Sequence, residues 1–348
     1  MKPNPIDFAG RMTGILLGGA VGDALGAPVE FLSRREILEQ FGPKGIQELS
    51  PAYGRMGAIT DDTQLTMFTL EGLIRAEVRH MARGICHPPS VVDHAYRRWL
   101  MTQEVRWEDR ANGSVKVSGW LISEEFLWSR RGPGTTCLNS LRIKGSQFGE
   151  RARNDRKGAG GLMRVAPVGL YSTGPFQMAG DLAQLTHGHA TSTVASGWLA
   201  LMVQQLSRGH SFHDAARSAW DACRGMAPEL DEALGEAFEL AKKPSDYVPS
   251  ALGEGWIAEE AAAIALWCLL TQPDPVSAIR AAVNIDGDSD TTGALVGQLL
   301  GAALGPSWIP AQWLEQLEGR AVLERLARDA EQSLALSADT AEFDAFWE

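Results

Sequence analysis

Cysteines and long apolar runs are scarce in this chain of 348 residues, and each shortage excludes a class of protein. None of the four cysteines forms a Cys-x-x-Cys pair, which excludes zinc ribbons and thioredoxin-type sites. The longest apolar runs are interrupted by Asp23 and Gln298 and are too short to span a membrane. The N-terminal segment MKPNPIDFAGRMTG has no apolar signal core. We therefore expect a cytoplasmic protein whose cysteines are reduced and buried.

An excess of basic residues is also lacking, because the formal net charge is −11. A surface of this sign is poorly suited to gripping nucleic acid or an anionic membrane, so neither is expected as a partner. The Gly-x-Ser-x-Gly nucleophile signature is missing, and so is the Gly-Lys-Ser/Thr ending of a Walker loop. The acidic balance is compatible with cation binding, although charge alone does not indicate a metal.

Helical periodicity dominates what the chain does contain. Stretches such as VVDHAYRRWL and EEAAAIALWCLL space their large apolar residues by three and four, while alternating strand patterns are rare. No low-complexity linker or charge block divides the chain. We predict a single all-α domain over residues 1–348, with long functional loops on one side. Residues 1–7 are expected to be a flexible end, and a partner-binding arm is the alternative.

Two stretches carry glycine at every fourth position, and we call these sets the glycine stripes. The first consists of Gly14, Gly18, Gly22 and Gly26, and the second of Gly293, Gly297, Gly301 and Gly305. Each glycine inside a helix costs about 1 kcal/mol relative to alanine. Close approach of another backbone would compensate, so we predict two tightly packed central helices. The alternative is that some of these glycines end the helices or lie in loops.

Two clusters of carboxylates precede apolar helices far apart in the chain, Thr60-Asp61-Asp62-Thr63 and Asp288-Ser289-Asp290-Thr291. Helix capping is one explanation, but a cap needs a single side-chain oxygen. Adjacent carboxylates repel each other unless they are protonated or neutralised by a cation. Carboxylate and hydroxyl oxygens suit Mg²⁺, Mn²⁺ or Ca²⁺, so the pattern favours a site for hard cations. Asp23, in the first glycine-rich helix, and Glu30, just beyond it, are further acids that could join the site.

Two other motifs indicate anion contacts. The loop KGAGGLMRVAP, residues 157–167, could offer backbone N–H groups to a phosphate, although a tight turn is the simpler explanation. The pair His187 and His189 could bind zinc, but no third soft ligand is near in sequence. A phosphate contact, or a helix cap together with Thr186, is the preferred interpretation of the pair.

Taken in order, these motifs resemble the ADP-ribosylglycohydrolase family. The resemblance runs from GILLGGAVGDALGAPVEF through ITDDTQLTM, RGPGTTCLNSL, KGAGGLMRVAP and LTHGHATS to NIDGDSDTTGALVGQLLGA. It implies an all-α orthogonal helical bundle around a central binuclear Mg²⁺ or Mn²⁺ site. The implied metal ligands are Thr60, Asp61, Asp62, Asp288, Asp290 and Thr291. We infer that the glycine stripes let the central helices converge so that both acidic motifs reach one point.

The resemblance also implies roles around the metals. Glu30 or Asp62 would activate water. The loop of Gly158, Ala159, Gly160 and Gly161 would surround a diphosphate, with His187 beside it. The family loop often has Asn-Gly-Ser/Ala before its Met-Arg, whereas this chain has Lys157-Gly158-Ala159-Gly160-Gly161, so a side-chain hydroxyl contact to phosphate is not expected here. Asp109 and Asp155 are candidates for an extra aspartate that some members use.

The implied activity is removal of ADP-ribose from protein side chains, most simply arginine. Alternative substrates are serine-linked ADP-ribose, its polymer and O-acetyl-ADP-ribose. A structural binding protein without catalysis is a different class of function, against which the complete set of metal positions argues. A third alternative is an immunity protein that opposes an ADP-ribosylating toxin by hydrolysis or by steric binding.

Overall fold

The computed structural model describes residues 7–111, 118–142, 148–243, 245 and 247–335. Residues 1–6 of the predicted N-terminal arm lie outside the described residues. The α-helices are α1 Phe8–Gly26, α2 Arg34–Phe41, α3 Asp61–Arg83, α4 Pro88–Glu104, α5 Trp107–Ala111, α6 Thr135–Arg142, α7 Val168–Tyr171, α8 Pro175–Gln184, α9 Ala190–Ser207, α10 Phe212–Cys223, α11 Pro228–Ala241, α12 Ala258–Thr271, α13 Pro275–Val283, α14 Ser289–Leu304, α15 Ala311–Gln316 and α16 Arg320–Leu334.

The prediction of an all-α fold is confirmed. Strand structure in the described part of the chain is limited to one antiparallel hairpin, β1 Pro51–Ala52 and β2 Arg55–Met56. Short 3-10 turns, one of them at Ala159–Gly161, connect some of the helices. Across the described residues, no helix combines the length and the apolar character needed to cross a membrane.

Helices α1 and α14 form an antiparallel pair at the centre, as the glycine stripes predicted. A Cβ atom added at Gly14 would lie 2.6 Å from the carbonyl oxygen of Gly301. One added at Gly18 would lie 2.9 Å from the carbonyl carbon of Gly297 and closer still to its oxygen. Only glycine allows the two backbones to approach this closely. The alternative, that a glycine of the stripes ends a helix, describes Gly305, which follows the last residue of α14 with a φ of +66°.

The antiparallel direction brings the C-terminus of α1 to the N-terminus of α14. At Gly26 the α1 backbone touches the backbone of Asp290 in the first turn of α14. Helix α3 packs against both helices of this pair and is buried over most of its length from Asp61 onward. The start of α3 therefore lies beside the same helix ends, and these ends carry the acidic motifs.

Candidate metal centre and its cavity

Six buried carboxylates meet where α1 ends and where α3 and α14 begin, and we call them the acidic cluster. They are Asp23, Glu30, Asp61, Asp62, Asp288 and Asp290, none of them more than 7% exposed. The hydroxyl of Thr291 donates to Asp62 Oδ1 at 2.9 Å, which joins the two sequence motifs directly. The structure thus brings together the residues predicted as ligands, while their binding of metal remains a prediction.

Helix capping accounts for only part of these motifs. Thr60 is the N-cap of α3, and its side chain accepts a hydrogen bond from the Asp62 amide at 3.3 Å. Asp288 is the N-cap of α14, yet its side chain makes no capping hydrogen bond with the described residues. Asp290 accepts the Thr291 amide of its own helix at 3.0 Å, so Asp288 is the carboxylate of the second motif that capping does not explain.

Asp23 holds the start of α3 in place. Its carboxylate accepts the amide of Thr60 at 2.9 Å and the amide of Thr63 at 3.1 Å. The hydroxyl of Thr63 donates to the same carboxylate at 2.5 Å. Asp23 therefore caps α3 from a different helix. The sequence identified it only as an additional acid, because its partners are donors some forty residues away.

Burial and mutual repulsion make the acidic cluster costly to ionise. Burial, followed by the charge of Asp290, raises the pKa of Glu30 to about 10 and that of Asp61 to about 8. The same two causes raise the pKa of Asp23 to about 7 and hold that of Asp62 well above its usual range. Burial likewise raises the pKa of Asp288 and Asp290. A cation among these groups would reverse the shifts, because it favours the charged carboxylates.

The donor set fits a hard divalent cation. Three carboxylates each offer one oxygen atom, and these atoms all lie within 4.8 Å of one another; the carboxylates belong to Glu30, Asp288 and Asp290. Glu30 Oε2 is buried and has no hydrogen-bond partner in the described part of the chain. A buried oxygen that lacks a donor is costly, and a cation would satisfy it. Oxygen donors of this kind suit Mg²⁺, Mn²⁺ or Ca²⁺.

Four members of the acidic cluster line a cavity of about 330 Å³. Its acidic wall includes Glu30, Asp61, Asp62 and Asp288, together with Thr291. The rest of the wall includes Gly158, Ala159 and Gly160 of the loop at residues 158–161, which we call the glycine loop. It also includes His187, Met163, Phe31, Trp256 and residues 132–137. A single cavity therefore joins the predicted metal residues to the predicted anion-binding residues.

The glycine loop lies directly against His187. A Cβ atom at Gly158 would lie 3.4 Å from His187 Nε2, and one at Gly160 would lie 3.2 Å from its Cε1. Gly161 lines the far side of the loop, where a Cβ atom would lie 2.7 Å from Ser192 Oγ. The Ala159 amide donates to Trp256 O at 3.0 Å. That amide is engaged within the protein, so an anion contact would have to come from the rest of the loop.

The two histidines have separate roles. His189 is the N-cap of α9, and its Nδ1 accepts the amide of Thr191 at 3.1 Å, as the capping interpretation predicted. His187 is buried, with Nδ1 2.8 Å from Thr186 Oγ1. Burial, followed by the charge of Arg164, lowers the pKa of His187 to about 3, so its ring is neutral. In the described residues the two histidines do not join a common set of metal ligands.

The two candidates for an extra aspartate lie outside the acidic cluster. Asp109 forms an ion pair with Arg106 at 3.3 Å. The side chain of Asp155 is 90% exposed beside His189.

Sequence reasoning missed several residues around the cavity. Phe31 and Trp256 stack with their ring centroids 6.0 Å apart, and both rings line the cavity while remaining exposed. The Gly134 amide donates to Asp61 Oδ2 at 3.4 Å. The only signals were the position of Phe31 beside Glu30 and the proline and glycines of RGPGTT, and neither identifies a contact.

Comparison with known proteins finds relatives along nearly the whole chain. The family model described as ADP-ribosylglycohydrolase matches residues 4–340. The ADP-ribosyl-[dinitrogen reductase] glycohydrolase of Rhodospirillum rubrum is 30% identical over 94% of this chain and 96% of its own length. The ADP-ribosylarginine hydrolase Tri1 of Pseudomonas putida (strain GB-1) is 26% identical over 92% of this chain and 77% of its own. A solved structure named ADP-ribosylglycohydrolase-related protein complex superposes with a TM-score of 0.67 at 27% identity, covering 94% of this chain and 98% of that chain.

Proposed function

The chain belongs to the ADP-ribosylglycohydrolase family of hydrolases, and from this premise we propose that it removes ADP-ribose from arginine side chains of modified proteins in a reaction that depends on divalent cations. The observation that carries the proposal is the acidic cluster, four of whose members line the same cavity as the glycine loop and His187. One part of this cavity suits a cation and the ribose hydroxyls, and the other suits an anionic group.

We propose two Mg²⁺ or Mn²⁺ ions as the cofactors. The residues that would hold them are Thr60, Asp61, Asp62, Asp288, Asp290 and Thr291. Such ions would hold the ribose hydroxyls and orient the ribose. Asp23 supports the site from outside, because it fixes the start of α3 and thereby the positions of Asp61 and Asp62.

A carboxylate must activate the attacking water, since cleavage at the anomeric carbon passes through an oxocarbenium-like state. Asp62 Oδ1 already accepts the hydroxyl of Thr291, whereas Glu30 Oε2 has no partner among the described residues. This difference favours Glu30 as the base and leaves Asp62 as the alternative. Glu30 must be ionised for the task, and a neighbouring cation would lower its pKa.

The other end of ADP-ribose would follow the remaining wall. The diphosphate would lie against the glycine loop, with His187 donating to one of its oxygens. The exposed rings of Phe31 and Trp256 offer an apolar surface for a planar base. The arginine linkage is supported by the name of the Tri1 relative, and a modified protein as substrate is supported by the name of the Rhodospirillum rubrum relative. An ADP-ribosylating toxin as a further partner stays a prediction from the resemblance.

The test measures release of ADP-ribose from an arginine-ADP-ribosylated protein with Mg²⁺, with Mn²⁺ and with a chelator. Serine-linked and O-acetyl substrates are assayed in parallel to separate the linkages. Asp61→Ala and Asp290→Ala should lose cation binding and activity together, while Asp221→Asn on exposed α10 should keep both. Full activity in Asp61→Ala with normal cation binding would contradict the proposal, as would activity that survives chelation.

A further inference from the structure

Arg164 carries a charge that the protein buries without an opposing carboxylate. The side chain is 0% exposed, and no acidic group pairs with it in the described part of the chain. Its guanidinium lies 4.2 Å from the ring centroid of Tyr96 and donates to Leu182 O at 3.3 Å. Its Nε has no hydrogen-bond partner among the described residues. Buried charges are usually paired, so this arrangement needs a reason beyond packing.

Two further contacts of Arg164 lead to the cavity, and one of them is the hydrogen bond of 3.6 Å from Nη1 to Cys137 Sγ. In the other, Arg164 Nη2 donates to Thr186 Oγ1 at 2.6 Å, and the same hydroxyl lies 2.8 Å from His187 Nδ1. A guanidinium can only donate, so the hydroxyl accepts from Arg164 and must direct its single proton elsewhere. The acceptors within reach are His187 Nδ1, Ala183 O at 3.5 Å and the sulfur of Cys137, which is a weak acceptor.

These distances select one tautomer of His187. If Thr186 donates to Nδ1, that nitrogen carries no proton and the ring proton is on Nε2. In the opposite arrangement, Nδ1–H would donate to Thr186, and the hydroxyl proton would be left with the long contact to Ala183 O or with the weakly accepting sulfur of Cys137. The shorter contact favours the first arrangement. The ring is neutral because burial lowers its pKa to about 3, so it holds a single N–H.

The Nε2 atom faces the loop that borders the cavity. Cβ atoms at Gly158 and Gly160 would lie 3.4 and 3.5 Å from it, so glycine at both positions keeps this nitrogen uncovered. We propose that Arg164 and Thr186 are positioning residues that fix His187 in the Nε2–H tautomer, so that it donates a hydrogen bond to a phosphate oxygen of the ligand. The identity of the ligand rests on the proposed function, whereas the tautomer does not.

The hydrogen bonds from Arg164 through Thr186 also polarise the imidazole of His187. The guanidinium polarises the Thr186 hydroxyl, which polarises the imidazole in turn, and linked hydrogen bonds in a buried site strengthen one another. His187 therefore becomes a stronger donor without carrying a charge of its own. A phosphate oxygen gains the attraction of Arg164 while the guanidinium stays out of the cavity.

Long-range ¹H–¹⁵N NMR of the histidine rings tests the tautomer directly. Wild type and Thr186→Ser should show a protonated Nε2 and an unprotonated Nδ1 at His187. Thr186→Val keeps the shape of the side chain but removes its hydroxyl, so it should show a mixture of tautomers. Thr271→Val is the matched control, because its hydroxyl donates to Trp267 O at the end of α12. A protonated Nδ1 in the wild type would overturn the positioning role, even in an active hydrolase.

Ligand binding supplies the second measurement. His187→Ala should weaken ADP-ribose binding by about 10- to 100-fold, the range expected for one hydrogen bond to a charged group. Thr186→Val should weaken it by about 2- to 10-fold, because the Nε2–H tautomer is then only partly populated and its N–H is less polarised. It should raise KM for the modified protein while kcat changes little, since the contact is present before and during reaction. In a His187→Ala background the same change should have no further effect, and an equal loss in both backgrounds would refute the relay.

Inorganic pyrophosphate separates the two proposals. If it perturbs the His187 Nε2 resonance in the wild type but less in Thr186→Val, the positioning role stands. Absence of ADP-ribose release from every substrate tested would then count against the proposed reaction alone. If pyrophosphate leaves the Nε2 resonance unchanged in the wild type, the donor role is overturned.

Discussion

Replacing Gly22 with alanine should separate the two central helices and disturb the site at their ends. A Cβ atom at Gly22 would lie 2.8 Å from the Ala294 amide nitrogen and closer still to the Gly293 carbonyl group. All of these neighbours are backbone atoms, so no side-chain rotation can make room for the added methyl group. Helix α1 or α14 must therefore move.

The expected magnitude is a balance of two terms. Alanine gains roughly 1 kcal/mol over glycine inside a helix. Overpacking in a core costs about 1 to 3 kcal/mol where the neighbours can adjust, and here a whole helix has to shift. We place the cost at or beyond the upper end of that range, so the free energy of unfolding should fall by roughly 2 kcal/mol or more.

Urea denaturation of Gly22→Ala measures the loss, and Gly235→Ala is the matched control. Gly235 lies inside α11, where an added Cβ atom would be in ordinary contact, 3.5 Å from Trp220 Cη2. This control should gain up to roughly 1 kcal/mol. Gly22→Ala should also bind Mn²⁺ more weakly by calorimetry, because the next residue is Asp23. If Gly22→Ala were as stable as Gly235→Ala, the inferred close approach of α1 and α14 would be wrong.

Two further predictions concern the acidic cluster and its rim. Without divalent cations the free energy of unfolding should decrease as the pH rises from about 4 to about 8. The reason is that Asp23 and Asp61 have pKa values of about 7 and 8 when folded and about 3.9 when unfolded, so the folded state binds more protons there. Thermal denaturation should then show greater stabilisation by Mn²⁺ at pH 8 than at pH 5, and equal stabilisation would contradict this. Tyr53 has a φ of +50°, and a Cβ atom at Gly132 would lie 3.3 Å from its hydroxyl and 3.4 Å from Glu30 Oε2. Tyr53→Asn should therefore stabilise the fold by roughly 1 kcal/mol yet lower kcat/KM, whereas a less stable variant would refute strain at this position.

The parts of the molecule that follow from local sequence were predictable. Helical periodicity, the cap of Thr60 and the glycine stripes depend on residues within a few positions of one another, and the structure contains all three. The resemblance to a family then placed both acidic motifs in one site. The structure brings them together through the hydrogen bond between Thr291 and Asp62.

Contacts between distant residues were not predictable. Asp23 caps α3 from another helix, and nothing near Asp23 in sequence indicates that role. Arg164 resembled an ordinary residue after the glycine loop, and its effect on His187 depends on the intervening Thr186. Such roles depend on which chain segments the fold brings side by side, and the periodicity of a single segment carries no information about that.

The glycine stripes determine how closely the carboxylates of the acidic cluster approach one another. Where α1 meets α14, the last glycine of α1 touches the backbone at Asp290, so the stripe sets how closely the acids of the two helices approach. The N-termini of α3 and α14 both begin at the cluster, and helix dipoles stabilise negative charge there. This contribution is small beside the burial that raises the pKa of all six carboxylates. The helices therefore bring the acids closer than their dipoles alone can stabilise, so the carboxylates either keep their protons, as the raised pKa values indicate, or are neutralised by the proposed cations.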